Sequence, residues 1–491
     1  MSGRILIKNG FVLTMDPDIG DFDDADVLVV DGKIAEVRPH IVADDVEVID
    51  AKGMIVTPGL FDAHRHCWQT QLRTTATDWT LSQYFVNMRA RFSAFYEPED
   101  VYIGNYVGLL EALDAGVTSC VDHSHIINSP EHADAGVEAF KASGVRGIYC
   151  YGFFKNPKYK IGEPIDLPLL VGDMFGDVEE WRYKDAERVK LKYFSESAGK
   201  IRFGIAPNEL EFRPYPESRA EFSSARELDP IIYSLHAGMG QLEKDVRLVK
   251  LMQADGFLGP KCLFVHAAGF TDEELQILVD HGCACASSPD TELGMGMGFP
   301  LVSQRIMKLG GKTSLGVDIV SNIAGDLFAQ MRLNLQVQRA VEHSVDFKRG
   351  YMPGDIPLKA SDVVRLATID GAKAVGLDGV TGSLTPGKDA DITLFDCHAI
   401  NMTPMIDPYG AIVFNANIHD VHTVLVCGDV VKRHGKLVGV DWEHWRKKIV
   451  ASSEKMMGQS RHVPIDKIGP LFQNMFNYNA AEQLREDATI K

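Results

Sequence analysis

Three things are scarce in this chain. No Cys-x-x-Cys pair occurs, and the eight cysteines (Cys67, Cys120, Cys150, Cys262, Cys283, Cys285, Cys397, Cys427) are scattered through apolar runs. That pattern excludes a cysteine zinc ribbon and a redox dithiol and predicts reduced thiols in a cytoplasmic protein. Basic residues are in deficit: 50 Lys and Arg against 68 Asp and Glu give a net charge of −18 and a pI near 5.3. An acidic surface argues against non-specific nucleic-acid binding and against anionic membranes. Long apolar runs are missing too, and Met1-Ser2-Gly3-Arg4 leads straight into a strand-like segment. Neither a transmembrane helix nor a signal peptide is expected. Nor does a Gly-x-Gly-x-x-Gly turn follow an early strand, which leaves a dinucleotide site without support.

What is present is an ordinary globular composition, 45% hydrophobic and 24% charged. Residues 4–57 read as short strands and tight turns, among them Asn9-Gly10 and Asp31-Gly32. Strand alternation returns near 382–395 and 421–431. Neither end supplies enough strands for a stable sheet alone. The economical reading is one small β-sandwich composed of residues 1–57 and 376–440, with residues 441–491 as a helical extension that packs on a neighbouring subunit of a homodimer or larger homo-oligomer.

Between 58 and 375, strands alternate with helical stretches. Eight strand candidates fall at 54–60, 117–121, 147–151, 201–206, 231–235, 262–265, 283–286 and 313–317. Eight such units predict an α/β fold, a (β/α)8 TIM barrel, in preference to an open doubly wound sheet. Residues 152–198 are read as an insertion over the barrel mouth that ends in a helix near 184–198.

In a barrel, function gathers where the strands end. The first strand ends in His64-Arg65-His66, whose imidazoles at i and i+2 share a face. The second ends in Asp122-His123-Ser124-His125, the fourth in Pro207-Asn208-Glu209, the fifth in His236, the sixth in His266 and the eighth in Asp318. One histidine after an apolar strand is usually structural. So many imidazoles and an aspartate arriving at one mouth point to a divalent metal site. Trp68, Gln69, Trp79 and Tyr84 follow the first pair, and Met295, Met297 and Phe299 sit in a Gly-rich loop. Both stretches are candidates to line the mouth around a planar substrate, with His123, His125 and Met239 beside them.

Pro58-Gly59-Leu60-Phe61-Asp62-Ala63-His64-Arg65-His66 resembles the first-strand signature of the amidohydrolase superfamily. Leu263-Phe264-Val265-His266, Ser287-Ser288-Pro289, Leu315-Gly316-Val317-Asp318 and Thr385-Pro386-Gly387-Lys388-Asp389-Ala390-Asp391 are similar to its later elements. The likeness spans about residues 4 to 435 and is nearest to the group of cytosine deaminase, guanine deaminase and the triazine hydrolases, atrazine chlorohydrolase among them. It implies His64, His66, His236 and Asp318 as metal ligands. It implies His266 as the residue that orients the attacking water or the substrate oxygen, and Asp318 as the acceptor of the water proton. Binuclear members carry a carboxylated lysine at the end of strand four. Here Asn208-Glu209 stands there, so one ion, Zn²⁺ or Fe²⁺, is expected. The resemblance thus implies a metal-dependent hydrolase that cleaves a C–N bond of a small cyclic or aromatic nitrogen compound with a metal-activated hydroxide.

Deaminases of this group carry a glutamate three residues after the strand-five histidine, and Met239 occupies that place. A thioether cannot move a proton. Glu209, His123 and His125 are the substitutes within reach of the same mouth. The departure keeps two alternatives open: hydrolysis of an amide or displacement of another leaving group such as halide, and an inactive fold serving as a scaffold or binding protein.

Overall fold

The computed structural model describes residues 3–159, 166–195, 199–240 and 246–475. The expected insertion and its terminal helix lie partly, and the end of the C-terminal extension wholly, outside those residues. Seventeen strands in chain order are described: β1 (Ile5–Val12), β2 (Phe22–Val30), β3 (Lys33–Arg38), β4 (Glu47–Asp50), β5 (Met54–Pro58), β6 (Leu60–Arg65), β7 (Val117–Ser124), β8 (Arg146–Gly152), β9 (Ile201–Ala206), β10 (Tyr233–Ala237), β11 (Cys262–His266), β12 (Ala284–Ser287), β13 (Lys312–Leu315), β14 (Ile392–Asp396), β15 (Val421–Val426), β16 (Asp429–Arg433) and β17 (Lys436–Leu437).

They form two sheets. The first is mixed and drawn from both chain ends, in the order β17-β16-β15-β14-β5-β1-β2-β3, with β4 on β1. Its join is the antiparallel pair β5–β14, where Thr57 faces Thr393 and Ile55 faces Phe395. Ile7, Val27, Val29, Val56, Leu394 and Leu425 meet in its core. The alternation of the strands therefore buries one face across both chain ends at once.

The second sheet is the eight-stranded parallel barrel, β6 through β13 in sequence order. Its strands are almost wholly buried, as a sheet covered by helices on the outside and filled on the inside must be. The candidate strand at 54–60 proves to be two elements. Met54–Pro58 pairs in the mixed sheet, and the barrel begins at Leu60. Gly59 sits at the crossing, where a Cβ would lie 2.1 Å from the Thr118 hydroxyl. No side chain fits between the two sheets at that point.

Closure of the barrel uses the site itself. The Asp318 amide donates to the His64 carbonyl and the His66 amide donates to the Asp318 carbonyl, both at 2.8 Å. Gly316 permits this approach, since a Cβ there would stand 2.8 Å from the His64 Cβ and carbonyl oxygen. A buried ion-pair chain braces the seam: Arg65 bonds Asp62, Glu111 and the Gly325 carbonyl.

The C-terminal extension packs on its own chain. Helix Trp442–Gln459 lies against helix Pro98–Asp114, with Ser452 and Lys455 bonded to Asp100. Helix Ile465–Met475 reaches the loops over the barrel mouth, where Ile468 and Phe472 are fully buried. Phe472 stacks on Phe85 with centroids 6.3 Å apart. No helix among the described residues is long and apolar enough to cross a membrane.

Candidate metal centre and active site

The C-terminal ends of the barrel strands converge on one buried point. His64 and His66 come from β6 and its first loop residue, His236 from β10, His266 from the end of β11 and Asp318 from the turn after β13. His64 Nε2 lies 3.2 Å from Asp318 Oδ1 and 3.3 Å from His236 Nε2, and His66 Nε2 lies 3.3 Å from the same Asp318 oxygen. Ligands held about 2.0–2.2 Å from a tetrahedral ion are separated by roughly 3.3–3.5 Å. These three contacts match that separation, and His64 belongs to both groups of donor atoms close enough to hold an ion, one with His123 and His236 and one with His266 and Asp318.

The hydrogen bonds on the far sides of the rings agree. His66 Nδ1–H donates to the His123 carbonyl at 2.7 Å, and His236 Nδ1–H donates to the Glu209 carboxylate at 3.2 Å. Each bond leaves an Nε2 lone pair turned inward, the arrangement by which an outer partner orients a metal ligand. Burial holds His64 and His236 well below the usual histidine range, against the pull of Asp318, so both are neutral donors. Burial works to raise Asp318, yet the imidazoles of His64, His66 and His266 around it keep it well below the usual carboxylate range. Four such groups face one another with nothing but lone pairs and one negative charge, a donor set that a divalent cation completes.

His266 and Asp318 have φ of +76° and +68°. Side chains rarely adopt that region, and here it turns both groups inward from strand ends. Burial opposes a charge on His266, but Glu292 at 3.3 Å and Asp318 raise its affinity for a proton. Glu292 is itself fixed by the Ser288 amide and the Ser287 hydroxyl at 2.6 and 2.8 Å. The sequence reading passed over Glu292. Its signal was Ser288-Pro289 opening a helix, which places Glu292 one turn in, facing back to the strand end.

Glu209 stands beside this group, fully buried. Desolvation pushes it up to about 7, against the pull of Arg89 at 3.8 Å. Its Oε2 has no hydrogen-bond partner, and the residue lines the pocket. Since its Oε1 addresses Nδ1 of His236, it lies on the side of that ring away from the inward Nε2.

A small cavity of about 20 Å³ lies above the histidines. Its floor is His66, His236, His266, Asp318, Glu209 and His125; its other wall is Leu81, Phe85, Met239, Met295, Met297 and Ile319, with Tyr84 at the edge. The structure thus brings His125, Met239, Met297 and Glu209 to the pocket. It withdraws three others. Trp68 is buried behind His125, Gln69 is committed to the Tyr84 hydroxyl and to Ser321, and His123 is stacked on His236 at 4.0 Å with Nδ1 on Ser234. Strand alternation explains the last: His123 and His125 share a face of β7, but His123 lies one pleat deeper in the barrel. Phe299 is exposed outside the pocket.

A parallel eight-stranded barrel with a small sheet from both chain ends, and an inward cluster of imidazoles and an aspartate at its mouth, defines a hydrolase barrel of the metal-dependent kind. A model of the amidohydrolase family matches residues 223–431. It is 29% identical over 468 residues to 5'-deoxyadenosine deaminase from Methanosarcina acetivorans, covering 93% of this chain and 99% of the relative. It is also 29% identical over 441 residues to 5-methylthioadenosine/S-adenosylhomocysteine deaminase from Thermococcus onnurineus, covering 87% and 93%. Two solved structures share the fold. An adenosine deaminase from Xanthomonas campestris with bound zinc superposes with a TM-score of 0.75 at 22% identity, covering 94% of this chain and 99% of that one. Atrazine chlorohydrolase from Arthrobacter aurescens complexed with zinc gives 0.74 at 21% identity, covering 91% and 100%.

Proposed function

We propose that this protein is a metal-dependent aminohydrolase that releases ammonia from an adenosine-type or related small N-heteroaromatic compound, with one ion per subunit. The observation that carries the reading is the inward set His64, His66, His236 and Asp318, linked by contacts of 3.2–3.3 Å under a pocket, in a chain whose relatives are named as adenosine-type deaminases. The absence of a lysine at the end of β9, and the engagement of Glu209 with the outer nitrogen of His236, support a single ion. Imidazole and carboxylate suit Zn²⁺ or Fe²⁺, and the zinc-bound neighbours favour zinc.

When bound, a divalent ion supplies the Lewis acidity that makes water a nucleophile near neutral pH. The chain's own groups divide the remaining work. Asp318 takes the water proton. His266, held by Glu292, faces the oxygen on which charge develops. Glu209 takes the part of the acid that Met239 cannot play: a buried carboxyl, free at Oε2 and poised to hold a proton near neutral pH, donates to the ring nitrogen or to the leaving amine. The apolar wall of Leu81, Phe85, Met295 and Met297 lies against the flat faces of the ring.

The direct test is ammonia release from 5'-deoxyadenosine, 5-methylthioadenosine and simple aminated heteroaromatics, with zinc content measured beside it. Activity that survives complete chelation would sink the reading. A second reading follows from Met239. An apolar residue at the usual acid position tolerates a leaving group that departs as an anion, so halide release from chlorinated rings belongs in the same panel. The eight free cysteines support a reducing, cytoplasmic setting, and the exposed Phe347, Tyr351 and Met352 support a homo-oligomer.

A further inference from the structure

The hydrogen bond behind the pocket floor fixes what the floor offers to a ligand. Trp68 Nε1 lies 2.8 Å from His125 Nδ1. An indole nitrogen donates and never accepts. His125 Nδ1 is therefore the acceptor, and the proton of the neutral ring stands on Nε2. The ring cannot turn over without losing that bond. It is clamped by His66, stacked at 4.0 Å, and by the edge of Phe154 at 5.3 Å. Its own carbonyl is held by Asn156 at 3.0 Å. Trp68 is equally fixed, fully buried, with Tyr96 packed edge-on at 4.8 Å and bonded to its carbonyl.

His125 lines the pocket, and no hydrogen bond to its Nε2 is found among the described residues. Met239, Met295, Met297, Leu81, Phe85 and Ile319, which face the same space, cannot accept its proton well. A donor that opens on this pocket is met by a ligand that supplies an acceptor there, and such a ligand gains by its placement.

The geometry points to His125 as the specificity-determining donor of this pocket: Trp68 locks it as an Nε2–H that reads a hydrogen-bond acceptor, a ring nitrogen or ring carbonyl, on the edge of a flat heteroaromatic ligand. This deepens the deaminase reading and rests on it for the choice of ring. It differs from a role in proton transfer, because a locked Nε2–H with its Nδ1 already engaged orients a ring without changing its own protonation.

The test uses zinc-loaded protein and inosine-type products, which bind without turning over. Their dissociation constants are compared with those of the 3- and 7-deaza analogues, each with one ring acceptor replaced by C–H. The wild type is expected to bind one analogue about tenfold more weakly than its parent. That ratio is expected to fall below twofold in Trp68→Phe and in His125→Leu, with zinc content unchanged in Trp68→Phe. Nitrogen-15 NMR of histidine-labelled protein reads the lock directly: His125 is a single Nε2–H tautomer in the wild type and a mixture in Trp68→Phe. No discriminated analogue, a ratio that survives both substitutions, or an Nδ1–H tautomer in the wild type overturns the proposal. Ammonia release is assayed separately, so a protein that discriminates the analogues but deaminates nothing refutes only the deaminase reading.

Discussion

The two walls of the pocket are made in different ways. The floor belongs to the barrel: its imidazoles and carboxylates leave consecutive or adjoining strands, and the backbone bonds that place them are the bonds that close the sheet. The apolar wall belongs to the loops. Leu81 and Phe85 sit in short helical turns, Met295 and Met297 in a Gly-rich connection, and all are backed by helix Ile465–Met475 and by the stacked pair Phe175–Phe212 at 5.1 Å. The contrast separates reaction from selection. Strand ends fix the reacting geometry because any shift breaks the sheet, whereas loop side chains change the shape of the pocket without touching the barrel.

That contrast breaks down if a floor substitution proves mild or a wall substitution proves lethal. The largest effect is expected at the floor. On the proposed mechanism, Asp318→Asn removes the proton acceptor and one charge of the metal set, and should lower kcat by about 10²–10⁴-fold with reduced zinc content; kinetics beside metal analysis check both. Gly316→Ala comes next. Its Cβ meets His64 backbone and side chain at 2.8 Å, so the seam must open; a loss of about 3 kcal/mol in denaturant unfolding is expected, together with weaker metal binding.

Glu209→Gln tests whether the floor also supplies the acid. A fall in kcat of about 10²-fold with zinc retained supports it; loss of the ion with little change in zinc-saturated kcat would reduce Glu209 to an orienter of His236. The same variant has a pH signature in metal-free protein. The folded Glu209 holds its proton up to about 7 against an ordinary 4.5. Its contribution is fully present below pH 4.5 and is lost as pH rises through 7. The wild type should lose about 3 kcal/mol across that window relative to Glu209→Gln, read from unfolding curves at several pH values. The smallest effect is expected on the wall. Met297→Leu conserves volume and should change stability by less than about 1.5 kcal/mol, moving KM a few-fold while zinc content and kcat hold.

How much of this was legible beforehand depended on where a residue's role was decided. His64, His66, His236, His266 and Asp318 could be picked out because each follows an apolar strand, and strand ends in a parallel barrel share one mouth. Leu81, Phe85 and Ile319 could not, because each reaches the pocket through a turn whose path no local pattern specifies. His123 and His125 show the limit within one strand. Their spacing gave a common face, but which of the two met the pocket and which was buried against His236 depended on depth in the barrel. The boundary at Gly59 was hidden for a related reason: one continuous apolar run serves two sheets, and only packing against Thr118 divides it.

By itself, then, the sequence determined the parallel barrel with its sheet from both ends, and the inward residue types at the strand ends, because hydrophobic period and strand-terminal chemistry are local properties. The tertiary structure alone decided the close approach of the inward groups, the partners of His66, His236 and His266, the burial of Glu209 beside them and the closing of the wall by the C-terminal helix. Those depend on distances between residues far apart in the chain, from Trp68 to His125 and from Phe85 to Phe472, which no stretch of sequence contains.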